Sequence, residues 1–420
     1  MKKKCLLISC AFILPIILCK QTFSQEEWEK YVDNPVLNTG DEASWDEHCV
    51  ASGPIIKFDD LYHMWYNGRM SEISNWQIGY ASSDNGISWT KYPFPVIYYG
   101  QFGEWDNYRR VESIIRVNDT LKMWFSAYKE IPFEMRIGYA WSTDGISWEI
   151  HPDPVLDIGQ DGEWDDNFVY GPSVIYHNNE YLMWYTGNGG NDNPSRIGYA
   201  SSDDGINWEK DQVNNPVIET GLEGSYYESW LNHPCVIRND GLFEMWFSGH
   251  DVFEHYRIGY AHSEDGVDWN YISEEPVLDI GASETWDDIA VYRPSVIIDD
   301  HQYKMWYSGY NGSRHRVGYA LGNTITGIDN FDQIESFSSS CFPNPVKNKF
   351  EINYILEKNA LVDITLVNSE GKVIKTLVNI MQQPDSHIIQ FDASELKSGV
   401  YYYIIKAGNQ KSTGKIIKIN

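Results

Sequence analysis

The dipeptide Met-Trp returns at Met64, Met123, Met183, Met245 and Met305, at spacings of 59, 60, 62 and 60 residues. A self-similar period of this length constrains the fold more than any figure of composition. Every copy opens with a short apolar stretch (GPII, ESII, GPSVI, HPCVI or RPSVI) and then a segment of the type YHMWYNG. IGYA or VGYA follows, and in four copies a glycine turn leads to tryptophan, as in DNGISW. Strand-length segments with turn signals at this spacing predict four antiparallel strands per repeat. Five such sheets in series, with no helical periodicity between them, are best arranged radially, because a ring protects edges that an open stack exposes. The predicted fold class is all-β: a five-bladed β-propeller followed by a small C-terminal β-sandwich.

The fifth repeat lacks its last piece, since Gly318-Tyr319-Ala320 runs on into LGNTITGID with no Gly-x-x-Trp. The other end of the chain holds a match for it. Glu27-Trp28-Glu29-Lys30 followed by Asn34-Pro35-Val36-Leu37 parallels Asn207-Trp208-Glu209-Lys210 followed by Asn215-Pro216-Val217-Ile218. An N-terminal strand is therefore expected to complete the last blade and close the ring.

Both ends carry something besides the repeats. Residues 1–24 combine Lys2, Lys3 and Lys4 with an apolar run and a small-x-small site at Thr22-Phe23-Ser24, which reads as a secretory signal, too short for a transmembrane span. A lipoprotein cut before Cys19 is the rival, but Leu18 stands where a small residue is wanted. Removing the signal takes away four lysines and no acid, so the formal charge of −28 becomes −32. Such acidity repels phosphate backbones and argues against a nucleic-acid partner. Cys49, Cys235 and Cys341 remain, too few and too scattered for a disulfide framework or a zinc site. The expected organisation is a propeller over 25–327, a polar linker over 328–340 and a separate strand-rich domain over 341–420. That last segment has ten lysines against seven acids, opposite in sign to the propeller.

A residue present in nearly every blade serves the blade, because a site on the axis has no fivefold symmetry. This assigns structural roles to the Trp-Asp pairs (Trp45-Asp46, Trp105-Asp106, Trp164-Asp165, Trp286-Asp287) and to Arg136, Arg196, Arg257 and Arg316 before IGYA or VGYA. Asn85, Asp144, Asp204 and Asp265 follow the same rule, as turn residues that bond nearby backbone.

The stretch FPNPV, then VDITLVNSEGKVIKTL, then LKSGVYYYIIKAGNQKSTGKIIKIN resembles the C-terminal type A sorting domain of the type IX secretion system. The resemblance implies that secretion machinery as a partner and a secreted or outer-surface location. The propeller, with its PxxI/V, MWY, IGYA and S-x-D-G-x-x-W pieces, resembles the arabinanase, levansucrase and invertase superfamily, including glycoside hydrolase families 43, 32, 117 and 130. That resemblance implies a carbohydrate substrate at the axial mouth, with catalytic groups at the starts of the innermost strands.

At those starts stand Arg109, Arg110 and Glu112 from the second blade, Tyr170 from the third, Asn232 and His233 from the fourth, and Tyr292 and Arg293 from the fifth. Glu112 is the only acid among them. The family 43 carboxylates are missing: Ser52-Gly53-Pro54 has none, and Tyr170-Gly171-Pro172 has Tyr where Glu is expected. Glycoside cleavage generally needs two groups about the bond. A second acid could come from the preceding loops, at Glu47, Asp166, Glu228 or Asp288; Asn107 holds the place in the second blade. His233 is the other candidate, since imidazole titrates near neutrality and the family 117 resemblance permits histidine there. Arg293 and Tyr170 are expected sugar contacts, Trp230 could stack on a sugar face, and His250-Asp251 is placed in a loop on the same side. A salt bridge from Glu112 to Arg109 or Arg110 is the structural alternative. No spacing requires a metal or cofactor, although an axial Ca²⁺ is allowed. The single acid in an arginine-rich rim also suits a family 130-like phosphorylase, and the missing carboxylates suit a non-catalytic glycan-binding propeller. A sialidase-like reading rests only on the two Asp-box spacings from Ser82 and Ser201.

Overall fold

A computed structural model describes residues 28–322 and 339–419 apart from 130–131, 191–192, 270, 357–359, 369–372, 395 and 408–409. The expected signal and most of the linker lie outside the described residues. Two compact units divide between Asn323 and Thr324. Among the described residues all regular structure in both is β-strand, and no helix is long and apolar enough to cross a membrane.

The first unit repeats one motif. In the second repeat, the inner strand Tyr108–Val117 pairs with Thr120–Lys129, which pairs with Glu134–Ser142, which pairs with Glu149–Ile150, all antiparallel. The third and fourth repeats follow the same order from Phe168–His177 and Trp230–Asn239. In the first repeat the inner strand is split into Cys49–Ala51 and Ile55–Phe58. The fourth strand is shorter than its sequence suggested. It has two residues, because Trp89, Trp148, Trp208 and Trp269 sit in the turn before it, each giving its indole N–H to the turn glycine's carbonyl. The fifth repeat has Trp28–Lys30 in that place, paired antiparallel with His315–Gly322.

Methionine and tryptophan recur because the second strand is covered on both faces. Met64, Met123, Met183, Met245 and Met305 and the tryptophans after them are all fully buried. Each tryptophan reaches into the neighbouring repeat. Trp65, Trp124, Trp184 and Trp306 donate to the turn carbonyls of Gly145, Gly205, Gly266 and Gly86. These turns need glycine: Gly145 has φ +76°, and a Cβ there would lie 2.8 Å from the Trp65 ring. Trp246 faces the one repeat whose sequence has no Gly-x-x-Trp turn, and among the described residues its buried indole nitrogen has no partner; the ring lies edge-on to Trp28.

The Trp-Asp pairs prove structural at three of the four positions. Asp46, Asp165 and Asp287 each accept a tyrosine hydroxyl from the second strand and a lysine ammonium from the outer strand. Lys30 of the N-terminal strand does for Asp287 what Lys91 and Lys210 do for Asp46 and Asp165.

A ring of side-chain bonds joins the inner strands. The backbone N–H groups of Val111, Gly171, His233 and Arg293 go to Asn67, Ser126, Thr186 and Ser248 on the second strand of the repeat before, at 2.9–3.0 Å. The series returns to the first repeat through Ser52 N–H and Ser308 Oγ at 2.8 Å.

The second unit holds a three-stranded and a four-stranded sheet that share one core. Phe350, Ile352, Tyr354 and Leu356 alternate inward along one strand and meet Val362, Ile364 and Leu366. Its first strand, Ser339–Phe342, begins inside the stretch expected to be linker.

Candidate active site

Each inner strand from the second repeat onward carries one extra residue against its partner, a bulge, at the point where the sequence motif departs from plain alternation. Glu112 is the bulged residue of the second repeat. In the others the bulge takes in Gly171, His233 and Arg293, with φ of +58°, +47° and +54°. Left-handed backbone at a histidine and an arginine is costly and is found where surrounding structure holds a functional side chain in place. At three of these bulges a side chain, that of Glu112, His233 or Arg293, is brought into one cluster, while the third repeat has Gly171 in that place.

There Arg293 makes the central contacts. Its Nη2 donates to Glu112 Oε2 at 2.6 Å and to the Val111 carbonyl at 3.0 Å; its Nε reaches the Ser52 carbonyl at 3.3 Å. Its Nη1 donates to His233 Nε2 at 3.2 Å. The Glu112 and Arg293 side chains are each only 6% exposed. Ser126 donates to the other Glu112 oxygen at 2.9 Å and accepts from Gly171 N–H. Burial pushes the Glu112 carboxyl above the usual carboxylate range, with Arg293, Ser126 and Arg110 pulling against it.

Guanidinium has no acceptor, so His233 Nε2 accepts, and the imidazole proton sits on Nδ1, facing Asn232 Oδ1 at 2.9 Å. Burial and the two arginines hold this histidine well below its ordinary pKa, hence neutral. That state speaks against His233 as the proton donor and for a role as a fixed hydrogen-bonding group.

Two cavities meet here. An axial channel of about 280 Å³ is lined by the inner strands of all five repeats, including Glu112, His233 and Arg293. A second of about 350 Å³ is walled by Arg110, Glu112, Tyr128, Phe133, Met135, Tyr170 and His233. Tyr170 packs edge-on to His233 and donates to Ser195, and burial raises its phenol to about 12. Tyr292 bonds His315 Nδ1 at 2.7 Å. Trp230, 42% exposed, stacks on His250 at 4.7 Å, and His250 packs on Tyr256, which packs on Tyr292. His250 is the last residue of the strand Leu242–His250 rather than a loop residue, and it is buried beneath Trp230; Asp251 after it pairs with Arg257.

The loop acids do other work. Asp166, Glu228 and Asp288 each accept a backbone N–H four residues back, from Gly162, Gly224 and Glu284, as Glu47 does from Ala43. This repeated turn bond gives them a structural occupation that their spacing concealed. Arg109 pairs with Asp106 at 2.6 Å, so the ion pair foreseen for Glu112 exists with Arg293 instead of Arg109 or Arg110. Among the described residues, no three His, Cys, Asp or Glu side chains form a group able to hold a metal.

Sequence reasoning missed Ser126, Tyr128, Phe133, Trp76, Met135, Tyr256 and His315. A signal for four positions existed. The residue two before IGYA or VGYA is Trp76, Met135, Ser195, Tyr256 and His315 in turn, a variable place beside a nearly constant arginine.

Comparison with known proteins agrees with this architecture. Residues 117–283 match the glycosyl hydrolases family 32 N-terminal domain, and residues 340–420 match the secretion system C-terminal sorting domain. An uncharacterized protein of Mycobacterium tuberculosis is 29% identical over 297 residues, 67% of this chain and 94% of that one. A 1,2-β-oligomannan phosphorylase of Thermoanaerobacter is 30% identical over 137 residues, 30% of this chain and 45% of the relative. The solved β-1,2-mannobiose phosphorylase of Listeria innocua superposes with a TM-score of 0.57 at 15% identity, over 73% of this chain and 99% of its own. The chain thus joins a repeated all-β unit, which shares its fold with solved glycosidase and phosphorylase structures and matches the family 32 model over residues 117–283, to a secretion sorting tail. The tail indicates type IX secretion, hence a secreted or cell-surface protein.

Proposed function

We propose that this protein is an exported glycoside hydrolase whose five repeats form a five-bladed ring completed by the N-terminal strand, with Glu112 handling the proton at the axial mouth. The observation that carries the reading is the Glu112 environment. It is a carboxyl that burial pushes upward, bonded by Ser126 and Arg293, in the wall shared by two cavities. A carboxyl so placed can protonate the glycosidic oxygen as its bond to the anomeric carbon breaks, while water supplies the hydroxyl that replaces it. Arg293 and Ser126 orient the carboxyl, His233, held by Asn232, supports Arg293, and Tyr170 and Trp230 offer ring faces for sugar.

A phosphorylase is the second reading, favoured by one observation: the inner-strand starts bring a single acid among arginines, and a phosphate nucleophile arrives already charged and needs no base. The mannoside phosphorylases among the similar proteins support including β-1,2-linked manno-oligosaccharides among plant and algal glycans in any assay. Glu112→Gln should lower turnover by about 10²–10⁴-fold while sugar affinity changes little. Free sugar as product marks hydrolysis; sugar 1-phosphate, formed only with phosphate present, marks phosphorolysis. A wild-type protein that binds glycans but turns over none, with affinity indifferent to Glu112→Gln, would leave a binding propeller.

A further inference from the structure

Among the described residues, Arg110 is a cation without an ion-pair partner. Its guanidinium lies over the Trp76 ring at 4.7 Å and near the Tyr128 ring at 6.0 Å, and its buried Nε has no acceptor. Arg69 covers the same indole at 4.8 Å; it gives Nη1 to the Glu72 carbonyl, and its Nε is likewise buried without an acceptor. Glu112, the carboxylate that acts on Arg110 electrostatically, is already bonded by Arg293 and Ser126. This concentration of positive charge stands in a chain of formal charge −28. Burial pulls the Arg110 guanidinium down from its ordinary value, and the neighbouring Arg293 adds to the penalty. Leaving a guanidinium buried and unpaired is costly, so a site that keeps one is shaped for an incoming acceptor.

The surroundings narrow what that acceptor is. Aromatic rings take the flat face of Arg110, which leaves its N–H edge, the edge that matches an oxyanion in a two-point contact. The cavity it helps to wall measures about 350 Å³, and Tyr128, Phe133, Met135 and Tyr170 give it aromatic and apolar sides. Such walls suit a sugar ring better than a small hydrated ion. We propose that Arg110, seconded by Arg69, binds an oxyanion carried by the sugar itself, a uronate carboxylate or a sulfate ester. The proposal rests on the carbohydrate reading above and names its substrate class: acidic glycans.

The test is calorimetric titration of the full chain with paired ligands. Oligouronides are set beside their carboxyl-reduced forms and sulfated oligosaccharides beside their desulfated forms, with inorganic phosphate titrated alone. At least one anionic member should bind about tenfold or more tighter than its neutral counterpart, a difference of about 1.4 kcal/mol. Arg110→Gln should erase that preference. Arg110→Lys, which keeps the charge and loses the fork, should retain only part of it, and an unchanged melting temperature would show that the variant is folded. Preference for the carboxylate pair or the sulfate pair tells the two sources apart.

Equal or weaker binding of every anionic member overturns the proposal, as does a preference that survives Arg110→Gln in folded protein. Binding of phosphate alone, lost in Arg110→Gln, overturns it in favour of phosphorolysis. Turnover of neutral glycans without any anionic preference sinks this inference and leaves the glycosidase reading standing. Anionic preference without turnover does the reverse.

Discussion

Arg293 and Glu112 stand 181 positions apart in the chain and 2.6 Å apart at the axis. The arginine was legible as a rim residue, and the glutamate as an unusual acid, but nothing in a linear pattern pairs them. Once paired, each depends on the other, because removing one partner of a buried ion pair leaves an uncompensated charge. Arg293→Ala should destabilise the protein by about 3–5 kcal/mol in urea unfolding. Its pH dependence has a definite sign. The Glu112 carboxyl is already raised in the folded state, and loss of Arg293 raises it further. A carboxyl raised on folding favours the fold while protonated and loses that advantage as pH rises through the folded value. The variant should therefore lose more stability than the wild type as pH rises from the ordinary carboxylate range, about pH 4, toward the raised folded value. Equal slopes would show that Arg293 does not govern this carboxyl.

At the scale of the strand, the repeat is a set of reciprocal loans between neighbours. The second-strand tryptophan of one repeat closes the turn of the next, which is why Met-Trp and Gly-x-x-Trp recur together. Trp246 tests the rule, since the fifth repeat's sequence has no Gly-x-x-Trp and the indole nitrogen has no partner among the described residues. Trp184→Phe removes a buried hydrogen bond of 2.7 Å to Gly266, whereas Trp246→Phe removes none. Both lose similar ring packing, so Trp184→Phe should cost about 1 kcal/mol more than Trp246→Phe. Chemical denaturation of the two variants measures the difference directly. The loop acids belong to this scale as well. Their common spacing from the tryptophan motif reflects a turn bond made in the first, third, fourth and fifth repeats, and the symmetry rule applied to Trp-Asp pairs would have demoted them too.

For the whole molecule, the sorting tail and the proposed carbohydrate site lie in separate units. The second unit has a core of its own, in which Phe350, Ile352 and Tyr403 cluster with residues of that unit. A chain ended after Asn323 should fold, keep the wild type's affinity for sugar and melt in a single transition, yet fail to leave the cell envelope. Fractionation and activity of the truncated and complete chains in the same host would check both halves of that expectation. Loss of folding on truncation would overturn it.

The sequence by itself determined the all-β class, the five-fold period, the match between the N-terminal strand and the missing outer strand, and the sorting tail. All of these are local patterns repeated along the chain, and repetition can be read without coordinates. Glu112, Tyr170 and His233 could also be singled out, as departures from that repetition at the inner strands. Only the tertiary structure decided what surrounds them. Inner strands of successive repeats converge on one axis, so side chains some 60 to 180 positions apart become neighbours; bulges with left-handed backbone at His233 and Arg293 set their direction. Whether a carboxyl there meets an arginine, a histidine or a turn amide is fixed by that convergence, which leaves no period in the sequence.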